Sequence, residues 1–474
     1  MRARALQRRQ LARGMALLLV VVLVAPTVVS GATFDPHKAT EFRRGTITKP
    51  ANGLTVVAIQ GFHLGNESTT KKPARLVAFG PRGHVRWVYD GKNIGARWFY
   101  DVDPEPDGTL FVVATNPNGT LAVKLDTHTL KPIWVEKLPF KDTHDIDLID
   151  DTHLLVANMR AYNASTGLND DRILIWNRTS HSIQWQWLFR NHYPQLKNTD
   201  TSIGRGGTWT DDWTHVNDVD RVAPGKYLVS VRNFDQVILI DKQTGNITLR
   251  LGHNGDYGIM AEQHNPEYLT SRSGKPTILL ADSENDRIVE YEHEPNGTWK
   301  RTWTLQGSLS WPRDADRLPN GDTLIVDTLN QRVIEVTPTG QIVWEVYCPW
   351  GPYDVERIPY GDEPQGPTIA DMNATGTYTV HGSAGLTPGT GDRLTFADRV
   401  VATFSGTPLS GPARTFATRW SHITPWIYPV WMTGWDFLFL VVAGLVVLGW
   451  AGTEAVLARA TILARLEDLL VDRW

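Results

Sequence analysis

The chain has 474 residues, 41% of them hydrophobic and 10% aromatic, enough to bury a large core and still leave segments outside it. Its formal net charge of -4 gives no reason to expect a nucleic-acid partner. The lone cysteine, Cys348, excludes an intrachain disulfide and a cysteine-rich metal site.

At the N-terminus, Arg2, Arg4, Arg8, Arg9 and Arg13 precede the uncharged stretch 15–29. This is the pattern of a signal peptide or signal anchor over residues 1–32, with Ser30, Gly31 and Ala32 as a small-residue cleavage site.

Strand-like runs at 53–60, 74–80 and 84–90 follow. From residue 98 to 356 one pattern then recurs: a short strand carrying an Asp-x-Asp-like pair, a turn, and an apolar strand. Anchored on the second acid of each repeat, Asp103, Asp147, Asp220, Glu267, Asp316 and Glu356, the spacings are 44, 73, 47, 49 and 40 residues. Periods of this length built from short strands indicate propeller blades. The spacing of 73 is read as a loop inserted over 190–212, rich in Thr, Gly and Asp. Trp87, Trp134, Trp185, Trp303 and Trp344 on the outer strands supply bulk for the widening gaps between blades.

The first unit lacks an Asp-x-Asp strand, and one appears after the last full repeat, at 352–358. The expectation is therefore an all-β, six-bladed β-propeller over 51–359, closed by a C-terminal strand that completes the first blade and leaves no sheet edge open between its ends.

Residues 360–422 are rich in Gly, Pro and Thr and read as a stalk or a small β module, with strands at 375–380 and 393–404. Residues 423–453 carry one charge, Asp436, beside Trp420, Trp426, Tyr428, Trp431 and Trp435, the pattern of a transmembrane helix with an aromatic belt. Arg459 and Arg465 lie in the remaining tail, 454–474. Positive residues outside both apolar segments place both chain ends in the cytoplasm, unless the signal segment is cleaved, and the propeller outside it. Seven Asn-x-Ser/Thr triplets, at Asn66, Asn118, Asn163, Asn177, Asn246, Asn296 and Asn373, are glycosylation candidates that double as turn residues.

In a propeller the first strand of every blade lines the central channel, so equivalent positions converge. The anchors put Tyr100, His144, Asn217, His264, Arg313 and Tyr353 around one ring, with His215 two residues before Asn217. Three imidazoles, a guanidinium and two phenols suit an anionic aromatic guest better than plain packing. Loops between second and third strands add Arg232 and Asn233, and also Arg287, although Arg75, Arg172 and Arg332 occupy the same repeat position and favour a structural role for it. No metal site is expected: the histidines face a wide channel, and strand-end hydrogen bonding explains the repeated aspartates better than calcium does.

The runs 212–220, 227–233, 237–252, 263–269 and 280–287 resemble the arylsulfotransferase family, the PAPS-independent enzymes built on a six-bladed propeller. The resemblance implies sulfuryl transfer from an aryl sulfate donor to a phenolic acceptor through a sulfated histidine, with no nucleotide cofactor. By motif it carries His215, Arg232, Asn233, His264 and Arg287 as site residues, with a second histidine protonating the departing phenolate. The family's late-blade histidine is replaced here by Arg313 or Tyr353, so the nucleophile falls to His264, His215 or His144, or the pocket has outlived the transfer. The alternative is a non-catalytic, membrane-displayed propeller that binds a glycan, peptide or protein. A quinoprotein-like dehydrogenase would need a quinone cradle that the sequence does not display.

Overall fold

Turn residues in each repeat fold apolar, β-branched runs back on one another, and the computed structural model assembles them into six radial sheets. It describes residues 2–33, 42–64, 69–72, 74–194, 209, 212–349, 351–383, 396–428, 432 and 434–471. By contact it divides into two units, 40–393 and the pairing of 1–39 with 394–474.

In the larger unit, blade 1 orders its strands as Pro352–Arg357, Thr55–Ile59, Arg75–Phe79 and Val85–Asp90. Blades 2 to 4 are simple four-stranded meanders whose inner strands are Trp98–Pro104, Ile146–Asp150 and Val216–Ala223. Blades 5 and 6 begin with His264–Thr270 and Asp314–Arg317, and each gains a fifth, outermost strand. Gly376–Thr379 joins blade 5 in parallel, and Arg43–Ile47 joins blade 6 antiparallel.

The expected closure needs correcting. Pro352–Arg357 pairs antiparallel with Thr55–Ile59, yet every blade is an open sheet with two edges, and none closes on itself. The physical reason lies in the radial arrangement: ladders run within a blade, while adjoining blades meet face to face through side chains. Successive apolar clusters accordingly span blades 1 and 2, 2 and 3, 3 and 4, 4 and 5, and 5 and 6. Outer-strand indoles add polar stitches, Trp187 Nε1 donating to Gly245 O at 2.9 Å, Trp303 Nε1 to Pro338 O at 2.9 Å and Trp344 Nε1 to Pro81 O at 3.1 Å.

The repeated acids form a second set of stitches near the axis. Backbone N–H groups of Val102, Val355 and Arg317 donate to Asp354, Asp314 and Glu267 of neighbouring blades at 2.9, 3.0 and 2.7 Å. Val219 and Arg221 donate to Asp145 and Asp147 at 2.5 Å each. A third set is ionic: Arg317 of blade 6 pairs with Glu290 of blade 5 at 3.1 Å and Arg357 of blade 1 with Glu335 of blade 6 at 2.8 Å, while within blade 6 fully buried Arg332 bonds Asp327 at 2.7 Å, Glu345 at 3.0 Å and the Ser308 carbonyl at 2.8 Å.

The long spacing in blade 3 arises partly from a hairpin, Tyr162–Asn163 with Leu168–Asn169, between its second and third strands. The sequence reading missed it and assigned the surplus to 190–212, of which 195–208, 210 and 211 lie outside the described residues. After blade 1's inner strand the chain runs beneath blades 5 and 6, where Gly366 N donates to Arg317 O at 2.9 Å and Ile369 N to Glu290 at 3.0 Å. A Cβ on Gly366 would sit 2.3 Å from the Arg317 and Leu318 carbonyl oxygens, so only glycine permits this approach.

The smaller unit is helical: Arg2–Thr33, Phe396–Phe404, Ser410–Ile427 and Gly434–Val471. The strand expected at 393–404 is thus a helix over its described part. Two stretches, Gln10–Ala32 and Gly434–Arg459, are long and apolar enough to cross a membrane. The C-terminal apolar helix starts at Gly434, not at 423; a residue before proline is steered out of the helical region, and Tyr428, which precedes Pro429 in the sequence, is extended, ending the helix that carries Trp420 and Trp426. The first and last helices run antiparallel, with Arg13 bonded to Glu454 at 2.6 and 2.7 Å and Ser30 Oγ donating to Asp436 at 3.4 Å.

Candidate functional site

The ring expected from the repeat forms, and strand irregularities place it. The inner ladders skip a residue at Tyr100, Asn217 and Tyr353, and the ladder of blade 5 breaks just after His264. A bulge lets two successive residues face the axis, so Tyr100, Asn217 and Tyr353 share the channel with the acids that follow them. His144 sits two residues before its strand and Arg313 immediately before its own, and His215 has a left-handed backbone, φ 41°.

Tyr100, His144, His215, His264, Arg313 and Tyr353 are each less than a tenth exposed. Tyr100 stacks on His144 with ring centres 3.9 Å apart, and His144 meets His215 edge-on at 5.1 Å. Tyr353 lies among them, 5.7 Å from His144 and 5.9 Å from His264, with its hydroxyl 3.2 Å from His144 Nδ1. The Arg313 guanidinium lies 3.7 Å over Trp311 and 5.1 Å from the Tyr353 ring centre, and it meets His264 Nε2 directly.

Hydrogen bonds fix two imidazole tautomers. His264 Nδ1 contacts Glu262 O at 3.0 Å, and a carbonyl only accepts, so Nδ1 carries the proton. Ser283 Oγ, 2.9 Å from the same nitrogen, spends its own proton on Pro312 O. The lone pair therefore sits on Nε2, toward Arg313. His215 Nδ1 lies 2.6 Å from Asp212 Oδ2, which again leaves Nε2 unprotonated. Asp212 also bonds Arg160 at 2.6 Å, and Arg160 pairs with Asp142, which accepts from the Tyr100 hydroxyl at 2.8 Å.

Burial sets the protonation states. It depresses His144 and His264 well below the ordinary imidazole value, helped by the charges of His215, Arg160 and Arg313 at His144, and of Arg313 and Arg232 at His264. His215 is pushed down to about 3 by burial and Arg232, against the opposing pull of Asp212. Burial also works against ionisation of Asp212, but its bonds to His215 and Arg160 outweigh this and hold it below the usual carboxylate range. Burial raises the Tyr353 and Tyr100 phenols. At neutral pH the ring thus presents neutral imidazoles beside cationic guanidinium.

The other expected residues divide. Arg232 pairs with Glu262 and bonds Asn233 Oδ1 at 3.1 Å, close enough to bias His215 and His264. Asn233 Nδ2 donates to Asp212 O at 2.6 Å and so holds the loop that carries Asp212. Asn217 Nδ2 donates to Gln263 O at 3.0 Å, tying the inner strands of blades 4 and 5. Arg287 lies apart, bound to Asp282 at 2.6 Å and to the Gly258 and Ile259 carbonyls at 3.0 and 3.1 Å, the same clamp that Arg332 makes in blade 6.

Sequence reasoning missed Asp212, Asp142, Arg160 and Trp311. Three of them stand two or three residues before a ring residue, a spacing that was readable in Asp-x-x-His; Arg160, from the next strand end of blade 3, had no such signal. A cavity of about 580 Å³ opens beside Arg160, with Lys141, Tyr162, Arg172 and Trp176 among its walls. Of the glycosylation candidates, Asn66 lies outside the described residues. Asn118 and Asn296 are in exposed turns, and Asn163 borders this cavity.

Residues 48–265, just under half of the chain, match the arylsulfotransferase (ASST) family. No curated protein matches the chain. Similar solved structures include a protein of unknown function from Bacteroides caccae, at 12% identity and TM-score 0.41, covering 70% of this chain and 98% of that one. Others are a catalytically inactive virginiamycin B lyase from Staphylococcus aureus with quinupristin, at 10%, 0.36, 65% and 88%, and a putative 6-phosphogluconolactonase from Bacteroides fragilis, at 11%, 0.41, 65% and 99%.

Proposed function

We propose that this chain, whose residues 48–265 match the arylsulfotransferase family, is a membrane-anchored sulfuryl transferase that moves the group from an aryl sulfate to a phenol through His264. The observation that carries the reading is the fixed tautomer of His264: its Nδ1 proton is held by Glu262 O, so the Nε2 lone pair points into the ring beside Arg313. The His264 Nε2 lone pair attacks sulfur, the S–O(aryl) bond breaks, and the donor leaves as its phenolate. Arg313 and Arg232 turn their N–H groups to the sulfuryl oxygens. An acceptor phenol then gives its proton to His215 Nε2, its oxygen attacks sulfur, and the S–N bond breaks to restore neutral His264. Asp212 steadies the imidazolium formed on His215. The cationic, aromatic cavity beside Arg160 suits the approach of an anionic aryl group.

The direct test is incubation with 4-nitrophenyl sulfate, digestion at neutral pH and mass spectrometry. The expected result is a labile sulfuryl adduct on the peptide containing His264. Absence of any adduct across a panel of activated aryl sulfates, with the protein folded, would leave a binding propeller instead.

The pH profile is a second expected outcome. A depressed imidazole stays neutral as pH falls through 6.5, so its function is lost only on approaching the lower, folded-state value, about 3 for His215. The groups facing it are Asp212, Arg160, Arg232 and His144. Between pH 7 and pH 5 kcat/KM should fall by no more than about twofold, whereas an ordinary imidazole base would lose roughly 25-fold. A fall of the larger size would remove His215 from the role.

A further inference from the structure

The inner strands carry a second polar belt, one and three residues beyond the ring side chains. A cavity of about 30 Å³ lies there, and its walls are carboxylates except for Asn265 and Pro266; no lysine or arginine lines it. The interblade N–H bonds described above use single oxygens of several of these acids. Asp218 Oδ1, Asp220 Oδ2, Glu267 Oε1, Asp316 Oδ2 and Glu356 Oε2 have no hydrogen-bond partner, although each residue is more than nine-tenths buried. Buried carboxylates without compensation are among the most costly arrangements in a protein.

For two of these residues, Asp218 and Asp220, the spacing of carboxylate oxygens points to what compensates them. Asp145, Asp218 and Asp220 each offer an oxygen within 4.8 Å of the other two. That is the largest oxygen–oxygen separation a cation bonded at about 2.4 Å can span. Asp147 and Asp362 form a second such group with Asp220, the latter acid arriving on the segment that follows the blades.

We propose that this cavity is a calcium site, with Asp145, Asp218 and Asp220 as its protein ligands and Asp147 and Asp362 supporting it. All the donors are hard oxygens, which excludes a zinc preference. Their irregular surplus suits the six to eight ligands of calcium better than the strict octahedron of magnesium. Asp145 follows His144 directly, and Asp218 and Asp220 follow Asn217 on the strand entered from His215. The ion would therefore clamp the two inner strands whose leading ends carry these imidazoles. Spacing alone had favoured hydrogen bonding for these acids; the unpartnered oxygens add the ion without displacing the stitches.

The test uses full-length protein in detergent, stripped with EDTA and titrated with terbium. Saturable luminescence, its displacement by calcium, and a melting midpoint a few °C higher in calcium than in EDTA are expected. D220N should weaken terbium binding at least tenfold. If D220N fails to fold, D362N, outside the blades, should weaken it severalfold. D107N, an acid in an exposed turn, should match the unsubstituted chain. Equal melting in calcium and EDTA with no saturable terbium signal would overturn the proposal and leave shared protons as the compensation. Equal weakening by D107N would overturn it too, by locating terbium on the surface.

Discussion

Replacing His264 by asparagine is expected to lower kcat/KM for transfer from 4-nitrophenyl sulfate by at least about 1,000-fold, with the melting midpoint little changed. Asparagine is the informative substitution because its amide N–H₂ occupies the place of Nδ1. It can still donate to Glu262 O and Ser283 Oγ, while nothing remains where Nε2 stood. Alanine would remove the anchor as well, leaving a hole against Arg313 and Tyr353 at a side chain that has no solvent exposure. A folded H264N protein that keeps more than a tenth of the activity would remove His264 as nucleophile and direct attention to His144 or His215. Glutamine offers the converse control: it keeps a group near Nε2 but loses the anchoring donor, and it should be inactive and less stable.

Truncating Asp327 to alanine is expected to destabilise the propeller by about 3–5 kcal/mol, a large share of any domain's margin. Asp327 is fully buried and accepts from Arg332 at 2.7 Å, Asn330 at 2.9 Å and the Ser310 backbone at 2.8 Å. Its loss leaves the buried Arg332 guanidinium short of an anion, with only Glu345 remaining. The corresponding change in blade 5, Arg287 to alanine, removes the charge itself from a clamp with a partly exposed arginine and should cost less. Chemical denaturation gives both numbers. R287A should leave KM for the aryl sulfate unchanged, since its partners lie away from the ring; a raised KM would return Arg287 to the binding site.

Much of this architecture was legible because repetition converts sequence position into spatial position. Once Asp103, Asp147, Asp220, Glu267, Asp316 and Glu356 were aligned, the residues three places earlier had to converge, and those around Tyr353 do. Other features depend on a single blade and leave no period to read. The Tyr162–Asn163 hairpin, the Asp212 bond to His215 and the reach of Arg160 across to Asp142 are of this kind. The open edges of the blades were misread for a different reason. A sequence shows that a strand is missing from one repeat and present beyond another, but it does not show that adjacent sheets stack instead of pairing. The ring bulges were likewise invisible, because strict alternation would have turned either Tyr100 or Asp101 away from the axis, and both face it.

The two innermost strands of blade 1, Pro352–Arg357 and Thr55–Ile59, are neighbours drawn from opposite ends of the propeller sequence. During synthesis the earlier strand emerges nearly 300 residues before its partner, a delay of roughly 15–60 s at ordinary elongation rates of about 5–20 residues per second. For that interval the axial edge of Thr55–Ile59 is an unpaired template. Any second nascent chain that has already produced Pro352–Arg357 can donate it there. Crowded synthesis therefore favours strand-exchanged dimers, and slowing initiation should shift the product toward monomer.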